Sequence, residues 1–236
     1  FMPFKHSVKE LIKSVLSLNK NGTIENIKKI INKRHNPFFN INELIEIEKE
    51  YNANATYFFL SLKKEEQDFN YQLEEVKDIL DIIIQSGSEI ALHGGHEAYK
   101  NPKKIIQEKT YLEDVAGIEI IGYRNHYLKF EAPTTWKSLI DAGIKYNSTL
   151  GFHDKVGFRN GMCHPFQPYS LKKKEHLKII EIPMIVMDCS LDHYMGLDIE
   201  DSFKTVKDII DKVEKLNGVF TLLWHNTYFF DDQLKL

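Results

Sequence analysis

The spacing of apolar residues changes along the chain and divides the sequence into two parts. In the first part, apolar residues recur at helical spacing in 8–18, 24–31 and 41–51, which predicts three helices with Asn40 as the N-cap of the third. From Ala55 onward, short apolar runs alternate with amphipathic segments. This alternation predicts an α/β fold in which βα units form a parallel sheet or barrel.

The elements of the second part can be placed along the chain. The predicted strands are 55–60, 89–92, 118–123, 145–150, 177–187 and 219–224, and we expect the last, strongly apolar one to be buried. The predicted helices are 73–85, 102–115, 134–142 and 200–216, and 151–170 is predicted to be a loop. No Gly/Ser-rich linker and no internal repeat interrupts the sequence, so we expect one domain over 1–236, with 1–36 as an N-terminal helical stretch.

Composition and charge narrow the range of partners. The 31 Lys and Arg residues are balanced by 34 Asp and Glu, so no basic excess is available for binding nucleic acid. No apolar run has the length of a transmembrane segment, and the start of the sequence lacks the features of a signal peptide. Cys163 and Cys189 form no CxxC pair, which is typical of thiols in a reducing compartment. We therefore expect a cytoplasmic protein.

Reactive side chains follow four of the apolar segments. Leu92 is followed by His93, Tyr123 by Arg124, Met187 by Asp188 and Trp224 by His225. Each of these residues alone is more often structural. In a parallel βα barrel, however, the C-terminal strand ends meet at one mouth, where active sites are built. The sequence therefore predicts a site made of His, Arg, Asp and His.

The segment from His93 to Glu97 reads His-Gly-Gly-His-Glu and is a candidate metal site. Imidazole nitrogen and carboxylate oxygen suit a divalent cation, most simply Zn²⁺. The spacing allows either His93 with Glu97 or His93 with His96 as the ligand pair. The alternative interpretation is a solvated loop that binds no metal.

The other strand-end residues also have two interpretations each. His225 is either a general acid or a buried, hydrogen-bonded histidine. Arg124 either orients a carboxylate or an anionic substrate, or forms an internal ion pair. Asp188 pairs with Arg124, pairs with His225, or caps a turn. The nucleophile elbow GxSxG, the phosphate loop GxxxxGK[ST] and the dinucleotide fingerprint GxGxxG do not occur.

Several of these segments resemble motifs of the polysaccharide deacetylases, the NodB-homology or carbohydrate esterase family 4 group. Residues 55–59 (ATYFF) resemble the family's ATFF strand, and 89–94 (EIALHG) resemble its second motif, H-[ST]-x-x-H. Arg124 falls at the arginine of the third motif, and Leu222-Leu223-Trp224-His225 is similar to the fifth motif, L-x-H. Residues 146–152 and 157–159 resemble a subgroup found with bacterial surface-polysaccharide genes. The match covers roughly 37–228.

The resemblance implies a distorted (β/α)7 barrel that removes an N-acetyl group from an amino sugar of a polysaccharide or its precursor. In the family, an Asp base activates water at a metal ion, and a His at the position of His225 protonates the leaving amine. The resemblance thus implies that His225, Arg124 and Asp188 are catalytic and that His93, with Glu97 or His96, binds Zn²⁺. Asn125, His126, Tyr127 and Arg159 are candidates to bind the sugar.

The sequence departs from the family at two points. The first motif, T-F-D-D-G or H-D-x-D, supplies the Asp base and an Asp ligand, and no such motif precedes Ile41. Either it lies upstream of Phe1, or the protein does not follow the family mechanism. Four residues after His93, Glu97 replaces the second histidine. Two alternatives therefore stay open: another C–N amide hydrolase of this fold, such as a deformylase, or a non-catalytic carbohydrate-binding barrel.

Overall fold

The computed structural model describes residues 40–53, 55–62 and 71–226, which fall into two compact units. The helices predicted at 8–18 and 24–31 lie outside the described residues. Among the described residues, no helix is both long and apolar enough to cross a bilayer.

The first unit contains two packed helices, α1 (Ile41–Glu50) and α2 (Lys77–Ser86), the latter preceded by a 3₁₀ turn at Leu73–Val76. Both helices match their predicted positions. Asn40 lies at the N-cap position, as predicted, but its side chain does not cap the helix. Instead, the Asn40 amide nitrogen donates to the backbone carbonyl of Asn226 at 2.8 Å, so its role in this unit is to connect two chain segments.

The second unit contains the sheets, apart from the first residues of β1 and β2. In chain order its elements are β1 (Thr56–Leu60), β2 (Glu89–Gly94), α3 (Pro102–Ala116), β3 (Gly122–Asn125), α4 (Thr134–Asp141), β4 (Tyr146–Asn147), β5 (Tyr169–Ser170), β6 (Glu175–His176), β7 (Ile180–Glu181), β8 (Val186–Met187), α5 (Ile199–Lys215) and β9 (Leu222–Leu223). Strands β1-β2-β3-β4-β7 form one sheet in that order. The pairs β2/β3, β3/β4 and β4/β7 are parallel, and β8 pairs in parallel with β9. The predicted α/β class with a mostly parallel sheet is confirmed.

The strand predicted over 177–187 is divided into β7 and β8. Pro183 lies between them, and proline has no N–H to donate to a sheet ladder. In the described part of the chain, β8 and β9 therefore form a sheet separate from the five strands. Closure of the strands into a (β/α)7 barrel stays a prediction. The expected burial of 219–224 was wrong, because Leu222 is 47% exposed at the open side of this two-stranded sheet.

A buried carboxylate links the ends of β4 and β7. Glu181 is fully buried and accepts hydrogen bonds from Trp136 Nε1 and Asn147 Nδ2, both at 2.7 Å, and from the Leu150 N–H at 3.2 Å. Burial raises the pKa of Glu181 to about 7, against the opposing effect of these hydrogen bonds. This part of the sheet thus depends on a group that titrates near neutral pH.

We predict that Glu181 makes the free energy of unfolding fall as pH rises between 4.5 and 7. The unfolded carboxyl loses its proton near 4.5, whereas the folded protein keeps it up to a pKa of about 7. The contribution of Glu181 to the free energy of unfolding is complete below the pKa of the unfolded state. It is lost as pH rises through the pKa of the folded state, a change of about 3 kcal/mol. Denaturant unfolding across this pH range gives the free energy of unfolding of the wild type and of Glu181→Gln. The difference between these two free energies should change with pH. A difference that stays constant would contradict the prediction.

Candidate active site

The candidate site begins where β2 and β3 end side by side. In the parallel register, His93 pairs with Arg124 and Gly94 pairs with Asn125. Strand β2 continues past the predicted end at Leu92 to Gly94, and β3 continues past Tyr123 to Asn125. The two reactive residues therefore belong to the sheet itself, and the backbone ladder holds them at neighbouring positions.

His93 is held in one tautomer by this register. Its Nδ1 lies 3.0 Å from the Arg124 carbonyl oxygen, and because a carbonyl only accepts, Nδ1 carries the proton. Desolvation, together with the positive charges of His126, Arg124 and His225, holds the pKa of His93 well below its ordinary value. The ring is thus neutral at pH 7 with Nε2 as its acceptor, which is the form and the backbone hydrogen bond typical of metal-ligating histidines.

The turn after His93 is built around two glycines. A Cβ on Gly94 would lie 2.0 Å from the Tyr123 hydroxyl oxygen, so no larger residue fits there. The Gly95 N–H donates at 2.9 Å to Oε2 of the buried Glu108. The chain consequently turns directly after His93, at a point fixed by close packing and by a buried carboxylate.

His96 and Glu97 are exposed, and their side chains form hydrogen bonds with residues other than His93. Glu97 Oε1 accepts from Lys129 Nζ at 2.8 Å and lies 3.1 Å from His96 Nδ1. The Lys129 hydrogen bond lowers the pKa of Glu97. In the described part of the chain, neither side chain has a recorded contact with His93. Their assignment as ligands therefore stays a prediction.

His126 is the histidine whose ring lies next to His93, with the ring centroids 5.2 Å apart. Tyr127 stacks on the other side of His126 at 4.3 Å, and the backbone of Tyr127 has the left-handed φ of 57°. The sequence predicted His126 as a sugar-binding residue, whereas the structure brings it to the candidate metal ligand. The feature of the sequence that could have indicated this position is that His126 lies two residues after Arg124, at the end of a predicted strand.

Arg124 is buried, and its contacts differ from the expected ones. Its Nε and Nη2 donate at 3.0 Å to the backbone carbonyl and the hydroxyl of Ser148, and the guanidinium lies 4.2 Å from the Phe58 ring centroid. The possible pairing with Asp188 is wrong, because Asp188 binds His225. Burial lowers the pKa of Arg124 to about 10, so the side chain is still a cation at neutral pH.

His225 and Asp188 form the second half of the candidate site. His225 Nδ1 donates to Asp188 Oδ1 at 2.7 Å, and the same carboxylate accepts from the backbone N–H groups of Cys189 and His225. Burial lowers the pKa of His225, but the hydrogen bonds and charges of Asp188 and Cys189 outweigh it and raise the pKa to about 10. His225 is therefore a half-exposed imidazolium at neutral pH, close enough to lower the pKa of His93.

The predicted sugar-binding residues fall into two groups. Tyr127 and Arg159 line a cavity of about 570 Å³, together with Lys129, Glu131 and Phe152. Asn125 is fully buried instead: its N–H donates to Thr149 Oγ1 and its amide donates to the His126 carbonyl. Asn125 thus supports the backbone of His126, whereas Tyr127 and Arg159 are accessible to a ligand.

Comparison with solved structures places this arrangement in a known fold. The chain is similar to a protein from Mycobacterium smegmatis provisionally assigned as a polysaccharide deacetylase, with a TM-score of 0.63 at 18% identity over 98% of this chain and 76% of that one. The chain has the polysaccharide deacetylase fold. The expectation of this fold, made from the resemblance of the motifs, is confirmed.

Two further structures show a weaker similarity to this deacetylase fold. IcaB from Ammonifex degensii has a TM-score of 0.36 at 14% identity over 48% of this chain and 55% of that one. BA3943 from Bacillus anthracis, a pseudoenzyme of carbohydrate esterase family 4, has a TM-score of 0.38 at 12% identity over 83% and 60%. Neither the family models nor the curated proteins contain a match to the sequence.

We predict that Gly94→Ala destabilises the protein by about 1–3 kcal/mol, the usual cost of overpacking. The added methyl would meet the ring and hydroxyl of Tyr123, which is fully buried. Denaturant unfolding of Gly94→Ala measures this cost, and the matched comparison is the same change in a Tyr123→Ala background. The penalty should shrink once the ring is gone. An equal penalty in both backgrounds would show that the Tyr123 contact is not its cause.

Proposed function

We propose that this protein is a metal-dependent hydrolase that removes the N-acetyl group from an amino sugar of a polysaccharide or its precursor. The observation that carries the proposal is the grouping at the ends of β2 and β3: a neutral His93 with Nε2 available, the His126 ring beside it, and the imidazolium of His225 close by. The fold supports the same reaction class, because the Mycobacterium smegmatis protein that shares it is provisionally described as a polysaccharide deacetylase.

The residues present fit a divalent cation. His93 already donates its Nδ1 proton to a carbonyl, as metal-ligating histidines do, and its low pKa keeps Nε2 free of a proton at neutral pH. We propose His93 and His126 as the histidine ligands, in preference to Glu97 and His96, whose hydrogen bonds are with Lys129 and with each other. A bound Zn²⁺ would polarise the amide carbonyl and activate water for attack.

The remaining residues have roles that follow from their charge and contacts. Arg124 is a buried cation whose two hydrogen bonds to Ser148 fix its orientation, so it orients an anionic group at the site and takes no part in proton transfer. His225 is protonated at neutral pH, and its Nδ1 proton is donated to Asp188, so Nε2 carries the second proton of the imidazolium. We assign to Nε2 the proton that the leaving amine needs when the C–N bond breaks. Tyr127 and Arg159, at the adjacent cavity, contact the sugar.

The activity is tested directly by incubating the protein and one equivalent of Zn²⁺ with oligosaccharides of N-acetylglucosamine. Released acetate, measured by proton NMR, is the expected result. The N-formyl analogue in a parallel reaction separates a deacetylase from a deformylase. Release of formate without acetate would favour the deformylase, and release of neither acid would contradict the proposal.

We predict that His93→Ala and His126→Ala each lose bound Zn²⁺, because each substitution removes one of the proposed ligands of the ion. Metal content per chain, measured by elemental analysis after dialysis, gives the result, and Glu97→Ala and His96→Ala are the matched controls. Both controls should keep the metal. If Glu97→Ala loses the metal and His126→Ala keeps it, the pair is His93 with Glu97. Unchanged metal in His93→Ala would overturn the assignment of this centre.

We predict that His225→Ala lowers kcat by about 10²–10⁴-fold, the typical cost of losing a positioned acid. Because His225 donates a proton in this account, KM and the metal bound at His93 should change little. Asp188→Asn should reduce kcat as well, since it removes the carboxylate that holds the imidazolium. Turnover of His225→Ala close to that of the wild type would leave His225 without a catalytic role.

A further inference from the structure

Asp188, Cys189 and His225 bring three different ligand atoms to one point of the surface. The carboxylate oxygen, the thiol sulfur and the imidazole nitrogen all lie within 4.8 Å of one another. Cys189 Sγ is 3.2 Å from Asp188 Oδ1 and 3.5 Å from His225 Nδ1. The proposed reaction uses the aspartate and the histidine but gives the thiol no role.

We propose that Asp188, Cys189 and His225 form a second cation site, which binds a soft divalent cation, either Cd²⁺ or Zn²⁺ in excess of one ion per chain, and inhibits the enzyme when it is occupied. The inhibition rests on the proposed function, because the cation would replace the Nδ1 proton and so convert the imidazolium that serves as the proton donor into a neutral, metal-bound imidazole, which is a weaker acid. The binding itself does not depend on that function. This site is separate from the centre at His93.

The distances in the triad are close to those of a tetrahedral site. With metal–nitrogen and metal–oxygen bonds of about 2.0–2.2 Å and metal–sulfur bonds of about 2.3 Å, neighbouring ligand atoms stand ~3.3–3.6 Å apart. The two distances from Cys189 Sγ, 3.2 and 3.5 Å, are already near this range. Only the hydrogen bond between His225 Nδ1 and Asp188 Oδ1, at 2.7 Å, has to open, and a shift of about 0.6 Å is enough.

The donor set selects the class of cation. Thiolate, imidazole and carboxylate together suit Zn²⁺ and softer ions, whereas Mg²⁺ and Ca²⁺ prefer sites made of oxygen alone. Binding forms three bonds to the cation and releases two protons to water, one from the Cys189 thiol and one from His225 Nδ1. The fourth position stays open to water. An ion can reach the triad because the His225 side chain is 46% exposed.

The other cysteine provides a matched control. Cys163 is buried in an apolar cluster with Ile185, Val186 and Val213, and its sulfur lies 3.9 Å from His164 Nδ1. Cys163 thus has a histidine neighbour but no surrounding triad in the described part of the chain. A metal–thiolate signal that depends on Cys189 and not on Cys163 would therefore report on the triad.

Titration of the metal-free protein with Co²⁺ tests the binding, because a thiolate bound to Co²⁺ gives a charge-transfer absorption band in the near ultraviolet. We expect the band in the wild type, in Cys163→Ala and in His93→Ala, and its loss in Cys189→Ala. Circular dichroism of each variant confirms that it is folded. Absence of the band from the wild type, or its persistence in Cys189→Ala, would overturn the proposal. Loss of the band in His93→Ala would show that the triad is not a separate site.

Inhibition is tested by adding Cd²⁺ to enzyme that holds one Zn²⁺ per chain. We expect Cd²⁺ to lower deacetylation by the wild type at least tenfold, and the same Cd²⁺ concentration to leave the activity of Cys189→Ala close to the activity that this variant has without Cd²⁺. Equal inhibition of both proteins would contradict the inhibitory role. If no form of the protein releases acetate while the Co²⁺ band still requires Cys189, the proposed function has failed and the cation site has not.

Discussion

The candidate site depends on the hydrogen bond between His93 Nδ1 and the carbonyl oxygen of Arg124. This bond exists because β2 and β3 pair in parallel with these two residues in register. It fixes the tautomer of His93, presents Nε2 as an acceptor, and places a buried guanidinium beside a neutral imidazole. A slip of one residue between the strands would turn His93 to the other face of the sheet, and none of these features would remain.

Buried polar groups keep this geometry rigid. Glu108 holds the turn after His93 through the Gly95 N–H, and Asn125 holds the carbonyl of His126. Asn125 is linked in turn to Thr149, and Thr149 donates to Asn147, which donates to Glu181. Networks of buried hydrogen bonds rigidify a core, but each buried carboxylate in them carries a desolvation cost. The raised pKa of Glu181 is a direct expression of that cost.

The sequence predicted the parts of the site that lie on strands and missed those that depend on distant contacts. His93, Arg124, Asp188 and His225 could be found because each follows an apolar run, and parallel strands end at one edge. The ligand role that we propose for His126 could not be predicted, because the position of His126 beside His93 depends on a turn with left-handed backbone at Tyr127. Glu97 has the spacing of a ligand, but Lys129, far along the chain, engages it. The sequence also predicted one strand over 177–187 where the structure has two, because the apolar pattern continues across Pro183 although this residue interrupts the strand.

The central claim is that the ends of β2 and β3 bind a catalytic cation through His93. The most direct measurement is anomalous X-ray diffraction, at the zinc edge, from crystals of the Zn²⁺-loaded protein. The account predicts an anomalous peak at about 2.0–2.1 Å from His93 Nε2, with His126 as a neighbouring ligand. A peak only at Asp188, Cys189 and His225, or bonded to Glu97 and His96 but not to His93, would contradict it.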